Sequence, residues 1–183
     1  LDCDEYVSKI VKTGTNCLIL IAKSDFGCSY YETNIGHKNT SLKTDIFAEI
    51  VPRLKSKGIS VLAYYNIIYD DLLGKKFPEW RQIDSTGKKI ASSIGYKVMC
   101  MNSPYRELVL KQLEEIVSMY PVDGVWLDGG YFSSNGCFCQ FCKELFQNKF
   151  KKRLSPDSIK KPEMRRMHAE FKRDSVVRFF SDV

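Results

Sequence analysis

No apolar run in this 183-residue chain approaches the about 20 residues of a membrane-spanning helix, which excludes a bilayer span of that kind. No internal repeat of fixed period and no low-complexity linker is present, so solenoid and array architectures are excluded too. An initiator Met is missing: the chain opens at Leu1 and stops at Val183 inside an unpunctuated helical pattern, as a fragment or processed product would. No signal peptide or transit segment is visible. The formal net charge is +6, but no RNA- or DNA-binding signature accompanies it. Much of the excess lies late, at Lys149–Arg153, Lys160–Lys161, Arg165–Arg166 and Lys172–Arg173, alternating with apolar residues at helical spacing. These read as solvated helix faces. The composition is that of a soluble globular chain with one core, shorter than the roughly 250 residues of a complete eight-unit barrel.

What is present alternates. Residues 4–12 carry an apolar helical face that stops at Gly14, and residues 16–22 (NCLILIA) form an apolar run of strand length, as when both faces of a parallel strand are covered. Residues 23–40 read as one long polar loop. A second helix is predicted over 45–57, with Gly58 as its stop, and a second buried strand over 59–65. Residues 66–101 form an insertion in which Asp84–Gly87 (DSTG) predicts a turn between short paired stretches. A helix starts at Ser103–Pro104, a third strand leads into Asp128, and helices follow over 141–150 and 163–183. Alternating helices and parallel-type strands predict right-handed βα units around three clear strands.

The stretch at 122–131, VDGVWLDGGY, is the most informative. An apolar run ends in a single carboxylate, Asp128, and two glycines, which is how a buried parallel strand delivers a charge to an open rim. Chemistry in β/α folds gathers at the carboxyl ends of strands, so Asp128 is a catalytic candidate; the competing reading is a loop or helix cap. Cys137, Cys139 and Cys142 crowd one short loop, which points to metal or redox chemistry rather than a spread disulfide framework and favours a cytoplasmic location. Tyr31, Tyr65, Trp80 and Tyr131, in loops or at strand ends, are candidate binding walls for the flat apolar face of a ligand, against the competing reading of ordinary packing. His168 reads as a plain helix-face residue.

Several blocks in order, GCSYYETNIGHKNTSLKTDIFAEIVPRLKSKGISVLAYYN, FPEWRQIDSTGK, CMNSPYRELVLKQLEEI and DGVWLDGG followed by CFCQFCKELF, resemble the hypothetical glycosyl hydrolase barrel domains. Those are related to family 29 α-L-fucosidases and family 42 β-galactosidases. The resemblance implies an α/β fold of the (β/α)8 TIM-type barrel, of which residues 1–183 would be a single, partial N-terminal domain holding strands two to four. It implies a fucosidase-like or galactosidase-like glycosidase. Asp128 in Trp126-Leu127-Asp128-Gly129 matches the nucleophile of the fucosidase W-x-D-G motif, and a retaining double displacement would follow. Its partner acid is expected on a later strand; the local carboxylates Asp25, Asp70, Asp71 and Glu79 read as loop solubilisers or sugar hydrogen-bonders. Asp25 and His37 are candidate substrate contacts, His37 because its loop resembles the family's histidine-containing stretch. Lys23-Ser24-Asp25-Phe26-Gly27 departs from the fucosidase K-H-H-D-G pattern, which removes both histidines and with them the basis for fucose specificity.

The cysteine loop resembles the family 42 zinc site, which adds Cys100, before Asn102-Ser103-Pro104, to Cys137, Cys139 and Cys142. Four thiolates would make a closed structural zinc site with no catalytic role; free thiols or disulfides are the alternatives. No cofactor for catalysis is implied. The partners implied are a carbohydrate substrate and either the rest of a larger polypeptide or a homo-oligomer, with no nucleic acid and no membrane. The alternative function is an inactive carbohydrate-binding or structural barrel module with a zinc-stapled loop.

Overall fold

A computed structural model describes residues 2–133 and 136–183. Helix α1 (Cys3–Lys12) leads into strand β1 (Cys17–Lys23). Two short strands, β2 (Cys28–Ser29) and β3 (His37–Lys38), precede helix α2 (Ile46–Ser56) and strand β4 (Ser60–Asn66). Helix α3 (Asp71–Lys76) and a 3-10 turn (Pro78–Trp80) follow, then helix α4 (Tyr105–Met119) and strand β5 (Gly124–Asp128). Helix α5 (Gln140–Phe150) and the long helix α6 (Pro162–Ser181) complete the described chain. None of these helices is long and apolar enough to cross a membrane.

The five strands form one sheet in the order β3-β2-β1-β4-β5. Strands β1, β4 and β5 run parallel, in the register Leu20–Ala63–Val125. The parallel-dominated α/β fold therefore matches the three strands and the intervening helices expected from the apolar periodicity. Two segments differ. The stretch 23–40 is not one loop: β1 turns back into β2 as an antiparallel pair, Lys23 opposite Ser29, and β3 adds to β2 in parallel. Two-residue strands carry no readable alternation, which is why this hairpin was hidden. Within 66–101, α3 was also missed, being six residues nucleated by the Asp70 side chain, which accepts from the Leu73 amide at 2.8 Å. The DSTG turn is present: Asp84 Oδ1 accepts from the Thr86 amide at 2.7 Å, and Ile83 bridges Lys89 across it.

Alternation along the strands divides the sheet. Val61, Ala63 and Tyr65 of β4 are fully buried with Phe47, Ile50, Val51 and Leu54 of α2 and Val109, Leu113 and Ile116 of α4. The other face is open. Ile19, Ile21 and Trp126 are 43%, 51% and 50% exposed, which corrects the expectation that the run at 16–22 is covered on both sides. A second apolar cluster, built on Phe138, Phe146, Leu154, Met164 and Phe171, packs α5 and α6 around the four cysteines.

Candidate functional site

The carboxyl ends of β1, β4 and β5 bring together Asp25, Tyr64, Asn66 and Asp128. Asn66 and Asp128 are register partners on adjacent strands, so their side chains emerge on the same, open face. Tyr64, two residues before Asn66, shares that face and donates its hydroxyl to Asp128 Oδ2 at 2.5 Å. Burial, reinforced by the hydrogen bond to Asp128, pushes the Tyr64 phenol up to about 12, so it remains a donor at neutral pH.

Asn66 is locked. Its Oδ1 accepts the backbone amides of Ile68 at 3.1 Å and Tyr69 at 2.8 Å, which fixes the amide orientation and aims Nδ2 outward. Nδ2 then donates to Asp25 Oδ1 at 2.6 Å and lies 3.4 Å from Asp128 Oδ2. Partial burial, followed by the neighbouring Asp128 charge, raises the Asp25 carboxyl above the usual aspartate value; Lys23 and the Asn66 hydrogen bond oppose this without cancelling it.

Beneath these groups lies a buried ion pair. Lys23 Nζ stands 3.3 Å from Asp70 Oδ2, both side chains being almost wholly inaccessible. It also donates to the carbonyls of Asn66 and Tyr69, each at 2.9 Å. Lys23 thus ties the end of β1 to the end of β4, and burial lowers its pKa although Asp70 pulls the other way. The Asp25 turn is seated on the same pair. Gly27 has φ +91°, and a Cβ there would lie 2.2 Å from Asp70 Oδ1. Gly27→Ala is expected to cost about 2–4 kcal/mol, from the left-handed backbone and the collision combined, read as a fall in the denaturant midpoint at unchanged slope. After Asp128 the chain turns away through Gly129 at φ +100°, whose missing Cβ leaves room for Ile68.

Aromatic rings rim the carboxylates. Tyr69 and Tyr131 share a hydroxyl hydrogen bond of 2.7 Å, Tyr69 packs on Tyr96, and Phe26 meets Tyr96 edge-on. Of the binding walls expected from sequence, Tyr131 belongs to this rim. Tyr31 and Tyr65 require correction: both are fully buried on the helical side of the sheet. Tyr65 donates to Gln112 Oε1 at 2.6 Å, and Tyr31 to Glu115 Oε2 at 3.0 Å, so their hydroxyls are consumed inside the core. Trp80 stacks on Phe77 at 4.1 Å and is half-buried against the core. His37 is exposed on β3, at the edge of the sheet opposite β5. Asp70 and Asp71 are engaged with Lys23 and Lys97 respectively, while Glu79 lies exposed on the 3-10 turn. Tyr64, Asn66, Tyr69 and Tyr96 were not singled out in the sequence, because alternation along β4 does not say which face the helices cover or which strand lies beside it.

The four cysteines form a separate centre. The Sγ atoms of Cys100, Cys137, Cys139 and Cys142 lie within 4.8 Å of one another, all buried. Cys100 Sγ is 3.5 Å from Cys142, 3.8 Å from Cys137 and 3.7 Å from Cys139. A tetrahedral ion with metal–sulfur bonds of about 2.3 Å would hold its sulfurs about 3.8 Å apart, so the quartet fits such an ion. Burial pushes the Cys100 thiol up, whereas the surrounding thiols pull Cys137 down. Asn102 Nδ2 reaches Cys142 Sγ at 3.4 Å as an outer support. His168 is not a plain surface residue: it is buried beside Phe138, and burial lowers it to about 4.

Comparison with known proteins bears on these two centres. In structure the chain is similar to α-L-fucosidase isoenzyme 2 from Paenibacillus thiaminolyticus, with a TM-score of 0.74 at 23% identity over 96% of this chain and 27% of that one. It is similar to a family 29 α-L-fucosidase from Bacteroides thetaiotaomicron, with a TM-score of 0.54 at 25% identity over 71% of this chain and 27% of that one. A β-galactosidase from Bacillus circulans sp. alkalophilus matches with a TM-score of 0.63 at 16% identity, over 98% of this chain and 31% of that one. The chain thus spans about a quarter to a third of these relatives. Among curated proteins nothing matches. The family model described as hypothetical glycosyl hydrolase 6 matches residues 2–129, from α1 through the carboxylate at the end of β5, and the chain belongs to that family.

Proposed function

We propose that the chain carries the nucleophile side of a retaining glycoside hydrolase acting on a carbohydrate substrate. The observation that supports this best is Asp128: an exposed carboxylate at the carboxyl end of a parallel strand, oriented by Tyr64 and Asn66, in a chain of a glycosyl hydrolase family. Its Oδ atom would attack the anomeric carbon to form a glycosyl-enzyme ester, which water then cleaves. The phenol of Tyr64 holds the carboxylate in place and leaves its second oxygen free. Tyr69, Tyr96 and Tyr131 are the sugar-facing walls in this reading, replacing Tyr31 and Tyr65, since rings at a polar rim match a sugar's apolar face.

Strands β1, β4 and β5 would be strands two to four of a (β/α)8 barrel, their open face with Ile19, Ile21 and Trp126 turned toward the barrel interior that the remaining units of a larger polypeptide fill. The four cysteines would hold structural zinc, which supplies a rigid link between the segment before α4 and the loop after β5. In this arrangement no open coordination position is left for substrate. The reading is tested by presenting a panel of aryl α- and β-glycosides to the intact polypeptide and following the first-formed anomer by NMR. Turnover with retained configuration is expected. An inverted product rejects the double displacement, and sugar binding without turnover would instead identify an inactive carbohydrate-binding barrel.

A further inference from the structure

A retaining mechanism needs two carboxyl groups, and the family resemblance puts the second on a strand that this chain does not hold. The geometry points to a different arrangement: we infer that Asp25, at the tip of the turn between β1 and β2, is the proton-carrying partner of Asp128. This assignment rests on the glycoside hydrolase reading and deepens it.

Three independent features carry it. The first is separation. Asp25 Oδ1 and Asp128 Oδ2 flank the same Asn66 Nδ2 at 2.6 and 3.4 Å, so those oxygens are at most the sum of the two, 6.0 Å, apart. Retaining enzymes hold their carboxyl groups about 5–5.5 Å apart, inverting ones about 6.5–9.5 Å. The second is elimination. Asp70 is buried and paired with Lys23, and Asp71 is paired with Lys97. Of the loop carboxylates considered from sequence, Asp25 is the one hydrogen-bonded to the group that also meets Asp128.

The third is rigidity. The turn holding Asp25 is closed by the Gly27 amide donating to the Ser24 carbonyl at 2.9 Å, and by the Ser24 amide donating to the Cys28 carbonyl at 3.1 Å. It is seated on the Lys23–Asp70 pair through Gly27. A catalytic acid has to be held within a fraction of an ångström of its target, and a short hairpin braced on a buried ion pair does this better than a free loop. Partial burial and the Asp128 charge favour the protonated form of Asp25, as a general acid requires. Asn66 donates to Oδ1, so the proton would be carried on Oδ2.

The step balances. As the bond between the anomeric carbon and the glycosidic oxygen breaks, the Asp25 proton passes to that oxygen and the leaving group departs as an alcohol, while an Asp128 oxygen bonds the anomeric carbon. In the second half, Asp25, now ionised, takes a proton from water. The resulting oxygen nucleophile displaces Asp128, which is released as carboxylate.

Asp25→Asn is the test, with Asp25→Ala and sodium azide as the second arm, both in the intact polypeptide. A general acid matters in proportion to the basicity of the leaving group. Asp25→Asn is therefore expected to lower kcat/KM about 100-fold or more for phenyl glycosides but less than tenfold for 2,4-dinitrophenyl glycosides. The alkaline limb of its pH profile should disappear. Azide, which needs no proton removed, should restore turnover of the dinitrophenyl substrate by Asp25→Ala and yield a glycosyl azide of retained configuration. Equal losses on both substrates, carried in KM with the pH profile unchanged and no azide rescue, would make Asp25 a sugar contact only and overturn the assignment. A wild-type polypeptide that turns over no glycoside in the panel overturns the hydrolase reading and this assignment with it.

Discussion

Asp128→Asn in the intact polypeptide is expected to reduce kcat for aryl glycosides on the order of 10³–10⁵-fold, about 4–7 kcal/mol of transition-state stabilisation, while leaving the fold in place. The isosteric amide can still accept from Tyr64, so the hydrogen bond closing the end of β5 is retained and what disappears is the carboxylate oxygen proposed to attack. Mechanism-based 2-fluoro-glycosides, which trap a glycosyl-enzyme ester, should label the wild type at Asp128 and leave the variant unmodified. The same substitution removes the Asp128 charge, one of the two causes that raise the Asp25 carboxyl. Any residual activity should therefore show its alkaline limb at lower pH than wild type, because a carboxyl relieved of a neighbouring negative charge ionises more easily. Turnover that survives in Asp128→Asn would remove this residue from the chemistry.

Loss of the metal should have the second largest effect, and it should fall on stability. Metal analysis of protein purified without added chelator is expected to find close to one zinc per chain. Cys139→Ser should lose it, lowering the thermal midpoint. Its Sγ is wholly buried and 3.7 Å from Cys100, so three sulfurs would remain in an apolar cluster without the cation that makes their ionisation tolerable. With the ion gone the remaining thiols protonate and the metal's contribution to folding is withdrawn, so the midpoint is expected to fall by at least several degrees. The loosening should be local to α5, α6 and the loop after β5, because Phe138, Phe146 and Phe171 pack on the cysteines and not on the sheet. Amide exchange would register it there before β1 or β4. A protein that binds no metal and melts at the same temperature with and without a strong chelator would remove zinc from the account.

The two centres were legible in the sequence to different degrees. The cysteine quartet was named in full because ligand spacing is a chain property: Cys137, Cys139 and Cys142 lie close whatever the fold does, and Cys100 came from the resemblance. Asp128 was legible because an apolar run that stops at one acid and two glycines has few structural readings. Asp25 was named as a sugar contact but not as the partner of Asp128. They are far apart in the chain, and what joins them is the amide of Asn66, whose direction is set by the two backbone amides it caps. The hairpin that carries Asp25 was hidden because β2 has too few residues to show a pattern, and its pairing depends on the position of β1.

By itself, the sequence determined the order of the longer helices and of the three parallel strands, the end of β5 as a place where charge meets an open rim, and the crowding of Cys137, Cys139 and Cys142. These follow from local periodicity, turn chemistry and spacing. Only the tertiary structure decided between Tyr64 and Tyr65. Alternation says that neighbours on a strand point to opposite faces, but not which face the helices cover, and packing of α2 and α4 assigned Tyr65 to the core and Tyr64 to Asp128. The same choice of face put Asn66 between two carboxylates, because parallel register brings the ends of β1, β4 and β5 to one rim, and no local pattern records which strands will be neighbours.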